Sequence, residues 1–309
     1  MSEAAFTLPS FAKINWRLRV RGRRADGFHE LRTIFQTVTL HDELQFVARD
    51  DTRLHLTCNS SDIPVDESNL ILRAADVLRH RYGIQQGASI HLEKVIPVKG
   101  GLGGGSSNAA VALLGLASLW EIETGKQELE NIGASLGADV PFFLTGGTAL
   151  GTGLGTQISP LNDVVAEHLL IVQPEAKVST IEAYKALNSP ALTKVESDII
   201  LSISRADEQF TDSYPNALHN DFEPVVLQLK PEIGRLRDAL LDAGARSALL
   251  AGSGSSVFGV FDNGEARERA LCTLKNKNER WRIFPCATLS RANYLSALGA
   301  CAAPLLSAQ

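Results

Sequence analysis

The sequence predicts an α+β protein of two domains, and three observations carry that prediction. Its 309 residues exceed the usual span of a single hydrophobic core. Alternating apolar and polar positions dominate both ends of the chain, with helical spacing inserted between them. A glycine-rich run, Gly100-Gly101-Leu102-Gly103-Gly104-Gly105-Ser106-Ser107-Asn108, joins a strand-like segment to a helix-like one. The seam is expected within residues 160–167, which gives units of 1–162 and 163–309.

The elements follow in order. Residues 11–22 and 31–47 alternate, with Ile14, Trp16, Leu18 and Val20 on one face, and residues 21–27 break the pattern as a hairpin loop. Leu44, Phe46 and Val47 predict strand, as do Leu54 and Leu56. Leu70, Ala74, Val77 and Leu78 predict a helix over 69–82, stopped by Gly83. Ile90 and Leu92 mark the strand that ends at Pro97, and a helix is expected over 107–120. A further helix over 126–136 stops at Gly137, read as its left-handed cap. The paired glycines around 146–147 and 151–155 read as turns between strands. The second half opens with a strand at 169–172 and holds helices near 180–187, 197–203 and 231–243, then a strand at 257–261. Residues 297–309 are small and apolar and read as a loosely packed tail.

Composition narrows the function. A 44% hydrophobic and 21% charged chain is an ordinary globular one. The net charge of -5 excludes a general nucleic-acid-binding surface. Cys58, Cys272, Cys286 and Cys301 have no C-x-x-C spacing, which fits a reducing cytoplasm and excludes a zinc site. The N-terminus carries an acid and no apolar core, so it does not read as a secretory signal, and no run reaches membrane-span length.

The glycine run carries the chemistry. Five of the six residues from Gly100 to Gly105 are glycine, so the backbone N–H groups and the following helix N-terminus are open to an anion. No Lys follows, as a P-loop requires, and Ser106 stands where a dinucleotide fingerprint needs its third glycine. A phosphate cradle without its own lysine must take positive charge from elsewhere. Lys13 lies in an otherwise apolar strand, and Asp139 lies between a helix end and Pro141. Each also has a plain structural reading, Lys13 as a snorkelling edge lysine and Asp139 as a turn former. Seven Lys or Arg between Lys13 and Arg32 face only Asp26 and Glu30, an excess that could attract a polyphosphate or simply solvate a hairpin. Phe28-His29 could stack on a base and read its edge, or serve only packing.

Five segments in register resemble the GHMP kinases. They are Pro9-Ser10-Phe11-Ala12-Lys13-Ile14-Asn15, Arg24-Ala25-Asp26-Gly27-Phe28-His29, the run from Pro97 to Ala110, Gly137-Ala138-Asp139-Val140-Pro141, and Leu250-Ala251-Gly252-Ser253-Gly254-Ser255-Ser256-Val257-Phe258. The resemblance points to the branch that phosphorylates a cytidine diphosphate alcohol in non-mevalonate isoprenoid synthesis. It implies a ribosomal-protein-S5-like N-terminal domain and a ferredoxin-like C-terminal domain, with the site in the cleft. It makes Lys13 and Asp139 the catalytic pair, the aspartate orienting or deprotonating the acceptor hydroxyl and the lysine stabilising charge on the aspartate and on the transferring group. It assigns ATP to Asn69, Lys94, Pro97, Gly101, Leu102, Gly103, Gly104, Gly105, Ser106 and Ser107. The cytidine substrate falls to Asn15, Phe28, His29, Thr180, Tyr184, Gly252 and Ser253, with Phe28 and Tyr184 sandwiching the cytosine. Mg²⁺ is expected with the nucleotide, no metal ligand is assigned, and a homodimer is admitted. Three departures stand out: Phe28 where Tyr is frequent, Phe11 where Pro is frequent, and Asn108 where Asp is frequent. The alternatives are a GHMP kinase acting on a mevalonate-like or sugar alcohol and, from another class, a dinucleotide-dependent oxidoreductase.

Overall fold

The computed structural model describes residues 5–188 and 217–306. Its frame is a long antiparallel hairpin of β1 (Ala5–Arg23) and β2 (His29–Arg49). The loop falls at residues 24–28, later than expected, because Gly22 and Arg23 still pair with Glu30 and His29. β4 (Gly87–Glu93) pairs with the C-terminal half of β2 and β5 (Thr148–Gly153) with its N-terminal half. β3 (Leu54–Cys58) extends the sheet beyond β4, and β6 (Gln157–Pro160) beyond β5. The glycines at 151 and 153, expected in a turn, lie in β5, where the backbone ladder running from Leu31↔Gly153 to Gln36↔Thr148 outweighs local turn preference.

From Ser10 to Leu18, β1 is buried on both faces. Ile14 and Trp16 join Ile34 and Val38 in a core shared with Leu169, Ile171 and Phe258 of the second unit. The Trp16 ring meets Phe258 edge-on at 5.7 Å. The other face of the hairpin carries Lys13, Asn15, Thr33 and Phe35 onto a cavity wall. Period-2 alternation thus puts one face of β1 into an interface and the other into the site.

The helices of the first unit cover the rest of its core. α1 (Leu70–Tyr82) ends at left-handed Gly83, φ 67°, as the sequence predicts, and starts one residue later than expected because the Asn69 side chain caps it. α2 (Gly104–Leu119) begins earlier than expected, since the glycines themselves form its first turn, and it is buried on all sides from Ser107 to Ala117. α3 (Lys126–Leu136) ends where predicted, but Gly137 is extended at φ -180° and is not a left-handed cap. The short α4 (Val140–Phe143) follows Asp139.

The second unit is a four-stranded antiparallel sheet of β7 (Leu169–Gln173), β9 (Ser247–Leu250), β10 (Val257–Val260) and β11 (Arg282–Cys286), in the order β11-β7-β10-β9. With α5 (Thr180–Leu187), α6 (Phe222–Leu229), α7 (Pro231–Asp242) and α8 (Gly264–Lys277), this is the ferredoxin-like arrangement beside an S5-like first unit. β9, β11, α6 and α8 were not anticipated, and the helix expected at 197–203 lies outside the described residues. A short strand, β8 (His219–Asn220), leaves the second unit to lie parallel to β1 at Arg17 and Leu18.

The tail is a correction. α9 (Arg291–Leu298), a 3₁₀ turn (Gly299–Ala302) and α10 (Ala303–Leu306) return to the first unit. Tyr294, Leu298 and Ala302 are buried in its core. Tyr294 donates its phenol proton to the Phe143 carbonyl and packs 5.7 Å from the Phe11 ring. Small residues suit a helix that must approach this closely, so low side-chain bulk marks packing here and not looseness. Among the described residues, no helix is long and apolar enough to cross a membrane.

Candidate active site

The cleft between the two units holds a cavity of about 650 Å³. Lys13, Asn15, Asn69, Lys94, Pro97, the loop from Gly101 to Ser106, Asp139, Thr180, Tyr184, Gly252 and Ser253 all lie on its wall. Ser107, Phe28 and His29 do not.

The glycine loop is built by close backbone contact across the cleft. Gly101 has φ 75°, and a Cβ there would meet the Ala251 carbonyl oxygen at 2.0 Å. The opposing Gly252, at φ 53°, would meet the Gly101 carbonyl oxygen at 2.7 Å. Neither position tolerates a side chain. Ser256 N–H donates to the Gly100 carbonyl at 3.2 Å, and Lys13 N–H donates to the Leu102 carbonyl at 3.0 Å. Two buried amides hold the second loop in place. Gln173 donates to Ser255 Oγ at 2.8 Å and accepts from Ser256 Oγ at 2.5 Å. Asn220 donates to the Leu250 and Gly252 carbonyls at 2.9 and 2.7 Å. Neither amide was singled out from the sequence, since nothing local distinguishes them. α2 has no side-chain cap at its N-terminus, so its first N–H groups face the cavity wall unclaimed.

Lys13 and Asp139 meet in this cleft. A β-bulge between Phe11 and Lys13 shifts the register of β1 there. Lys13 is buried, not snorkelling: its Nζ lies 3.5 Å from Asp139 Oδ2 and donates to Asn15 Oδ1 at 2.9 Å. Asn15 in turn donates to Thr33 Oγ1 at 2.7 Å, and Thr33 donates to the Arg17 carbonyl at 2.8 Å. That chain fixes which end of the Asn15 amide faces the lysine. The Asp139 side chain is 32% exposed and makes no capping bond to α4. Its carboxylate is therefore available to the cavity and is not consumed in a turn.

Lys94 is arranged differently. Its Nζ bonds Asp42 Oδ2 at 2.7 Å and the Ile96 carbonyl at 2.7 Å, and burial pulls its pKa below the usual lysine range against the opposing pull of Asp42. Asp42 also accepts from Val95 N–H, Ile96 N–H and Asn108 Nδ2. Asn108 donates to Ser10 as well, and Ser10 donates to Ser107 Oγ at 2.8 Å. Ser107, expected to touch ATP phosphates, is instead fully buried in this network. An Asn at 108 is a donor, which is what two acceptors facing it require; an Asp would set a carboxylate against Asp42. Asn69 serves its helix, accepting from Ile71 N–H at 2.9 Å and donating to the Pro64 carbonyl at 2.7 Å.

The base-binding end shows a different pairing from the one expected. His29 stacks on Tyr184, with centroids 4.5 Å apart and planes at 28°, while Phe28 is 63% exposed at the hairpin tip. Imidazole thus covers one face of the Tyr184 ring, which was expected to stack on cytosine. Burial, helped by Arg23, holds the His29 pKa below its usual value. Burial raises that of Tyr184, with Asp139 adding to the shift. Thr180 Oγ1 lies 3.1 Å from Ser253 Oγ, which joins the start of α5 to the second glycine loop.

Comparison with known proteins identifies the family and the fold. Residues 69–147 match the GHMP kinases N-terminal domain, and residues 201–280 match the GHMP kinases C-terminal domain. A 4-diphosphocytidyl-2-C-methyl-D-erythritol kinase of Chlorobium phaeobacteroides is 39% identical over 280 residues, covering 90% of this chain and 94% of its own. The kinase of the same name from Caldicellulosiruptor bescii is 40% identical over 256 residues, covering 83% and 89%. A crystal structure of a 4-(cytidine 5'-diphospho)-2C-methyl-D-erythritol kinase superimposes with TM-score 0.74 at 33% identity, covering 92% of this chain and 99% of that one. The Methanococcus jannaschii mevalonate kinase shares the fold at TM-score 0.66 and 18% identity, covering 94% and 99%. The oxidoreductase alternative falls with these matches, and the chain belongs to the GHMP kinase family, in the group of the 4-diphosphocytidyl-2-C-methyl-D-erythritol kinases.

Proposed function

We propose that this chain transfers the γ-phosphoryl group of ATP to the 2-hydroxyl of 4-diphosphocytidyl-2-C-methyl-D-erythritol, a step of non-mevalonate isoprenoid precursor synthesis in the cytoplasm. The observation that carries it is Asp139, a carboxylate open to the cavity, ion-paired to buried Lys13 and sharing the wall with the glycine loop. Relatives of 39% and 40% identity bear the name of that activity. The four free thiols suit a reducing compartment.

In this mechanism residues 1–162 bind nucleotide and cytidine, and residues 163–309 close the site through Gly252 and Ser253. The N–H groups from Gly101 to Ser106 hold the phosphate tail, helped by the open end of α2. Asp139 orients the acceptor hydroxyl and takes its proton as the phosphoryl group moves in line. Lys13, fixed by Asn15, stabilises the charge that passes between donor and acceptor. No covalent phosphoenzyme is needed.

Among the described residues, no cluster of His, Cys, Asp or Glu forms a metal cage, and Asp139 is the carboxylate on the cavity wall. That donor set fits Mg²⁺ carried in on ATP phosphates and water, with Ser106 and Asp139 as the side chains available to it. When bound, the ion shields phosphate charge. For the base, we infer that cytosine displaces His29 from Tyr184, after which His29 reads the base edge and Phe28 closes over the ring.

The test measures ATP consumption with 4-diphosphocytidyl-2-C-methyl-D-erythritol, mevalonate and homoserine as separate acceptors. Turnover with the cytidine compound, competed by CMP, is expected. Turnover confined to mevalonate or homoserine overturns the assignment and favours the other GHMP acceptors.

A further inference from the structure

The charged side chains on the cavity wall, among the described residues, are Lys13, Lys94, Lys99 and Asp139. Two of the three lysines are committed. Lys13 is paired with Asp139, and Lys94 is locked between Asp42 and the Ile96 carbonyl. Lys99 is exposed and has no side-chain hydrogen bond or ion pair among the described residues. It immediately precedes Gly100 and the run that opens α2.

Its backbone adds a second, independent observation. Lys99 has φ 57°, in the left-handed region that side chains other than Gly, Asn and Asp rarely occupy. The neighbouring loop is almost all glycine, and glycine at 99 would sit there without strain. The position is pinned from across the cleft, since Ser255 N–H donates to the Lys99 carbonyl at 3.4 Å. A strained residue held by its surroundings is characteristic of ligand-binding positions, where the side chain justifies the conformation.

We propose that Lys99 is a nucleotide-binding residue, the uncommitted cation that holds the polyphosphate of ATP at the entrance to the glycine loop. The inference rests on ATP being the phosphoryl donor. The loop's N–H dipoles orient phosphate oxygens but carry no net charge, and the two buried lysines are already neutralised by aspartates. Among the described residues, a polyanionic tail entering this wall therefore meets one unbalanced positive charge, that of Lys99. The four-carbon stem lets the ammonium follow the phosphates as they settle, which suits a lysine at a mobile polyanion.

Isothermal titration with ATP, ADP, AMP and CMP, on the wild type and on K99M, K99R and K99G, tests it. K99M keeps the stem and removes the charge, and it should weaken ATP by about tenfold, as loss of one charge-assisted contact does. ADP should weaken by a smaller factor, AMP by less than about twofold, and CMP not at all; K99R should restore most of the ATP affinity. K99G should bind ATP as weakly as K99M while melting no lower than wild type, because it relieves the left-handed strain. Wild-type ATP affinity in K99M overturns the proposal. Equal weakening of ATP and AMP also overturns it, since that marks loop distortion and not charge. Loss confined to CMP or the cytidine acceptor assigns Lys99 to the other substrate and overturns it too. Failure of the wild type itself to bind ATP refutes the kinase reading first, and Lys99 with it.

Discussion

Two lysine–aspartate pairs flank the same cleft, and they behave as opposites. Lys94 and Asp42 meet at 2.7 Å with side chains 6% and 0% exposed, and every oxygen of Asp42 is taken by the lysine, two backbone N–H groups or Asn108. Lys13 and Asp139 stand 3.5 Å apart, with the aspartate 32% exposed and accepting nothing from its own helix. Asp42 has no acceptor capacity left, so the first pair holds the strand end at Lys94 against β2 and α2. The second keeps lone pairs for a ligand. Residue types are identical in both; saturation of the carboxylate separates a structural pair from a reactive one.

The comparison is broken most directly at Asp139. D139N should lower kcat by about 10²–10⁴-fold, the usual value of a positioned base, with little change in melting temperature. A D139N enzyme turning over at the wild-type rate would make the two pairs equivalent. Asp42→Ala should do the reverse. It strands a buried lysine and several N–H groups, at a cost of about 3–5 kcal/mol in urea unfolding. Unfolding at the wild-type midpoint would show that the saturated pair is not structural.

Smaller changes sharpen the contrast. Asn69 lies on the cavity wall but spends both ends of its amide on α1 and Pro64. Asn69→Ala should therefore cost about 1 kcal/mol of stability, the value of a helix cap, measured by denaturant titration. A loss of ATP affinity with no loss of stability would move Asn69 from the structural group to the ligand group. The smallest effect concerns His29. Its folded pKa lies below the ordinary value of about 6.5, so the unfolded chain takes up the proton first as pH falls. Its stacking on Tyr184 thus contributes fully above that pH and less below it. The stability difference between wild type and His29→Gln should narrow between pH 7.5 and pH 5; a constant difference would mean that the ring is not held neutral.

Much of the fold was legible because its signals are local. Gly83 stops α1, the spacing of Leu70, Ala74, Val77 and Leu78 gives its length, and the alternation of Ile14 and Trp16 places β1. What was missed depends on distant partners. β9 and β11 are short, lack an alternating pattern of their own (Ser247-Ala248-Leu249-Leu250 and Arg282-Ile283-Phe284-Pro285-Cys286), and exist through pairing with β10 and β7. The tail was misread because small apolar residues look the same whether idle or closely packed. His29 was expected on cytosine, and nothing local shows that Tyr184 would cover it.

The site divides in the same way. By itself the sequence determined a bare-backbone phosphate loop and the absence of a P-loop lysine, because glycine content is a property of single positions; Lys13 and Asp139 were joined only by the resemblance to the GHMP kinases. Tertiary structure alone decided which charges were spent. Asp42 lies 52 residues from Lys94 and 66 from Asn108 along the chain, and only folding brings those donors onto one carboxylate. Whether a lysine is neutralised depends on distances of a few ångströms, and chain order does not encode them until the hairpin, the glycine loop and the second sheet have packed together.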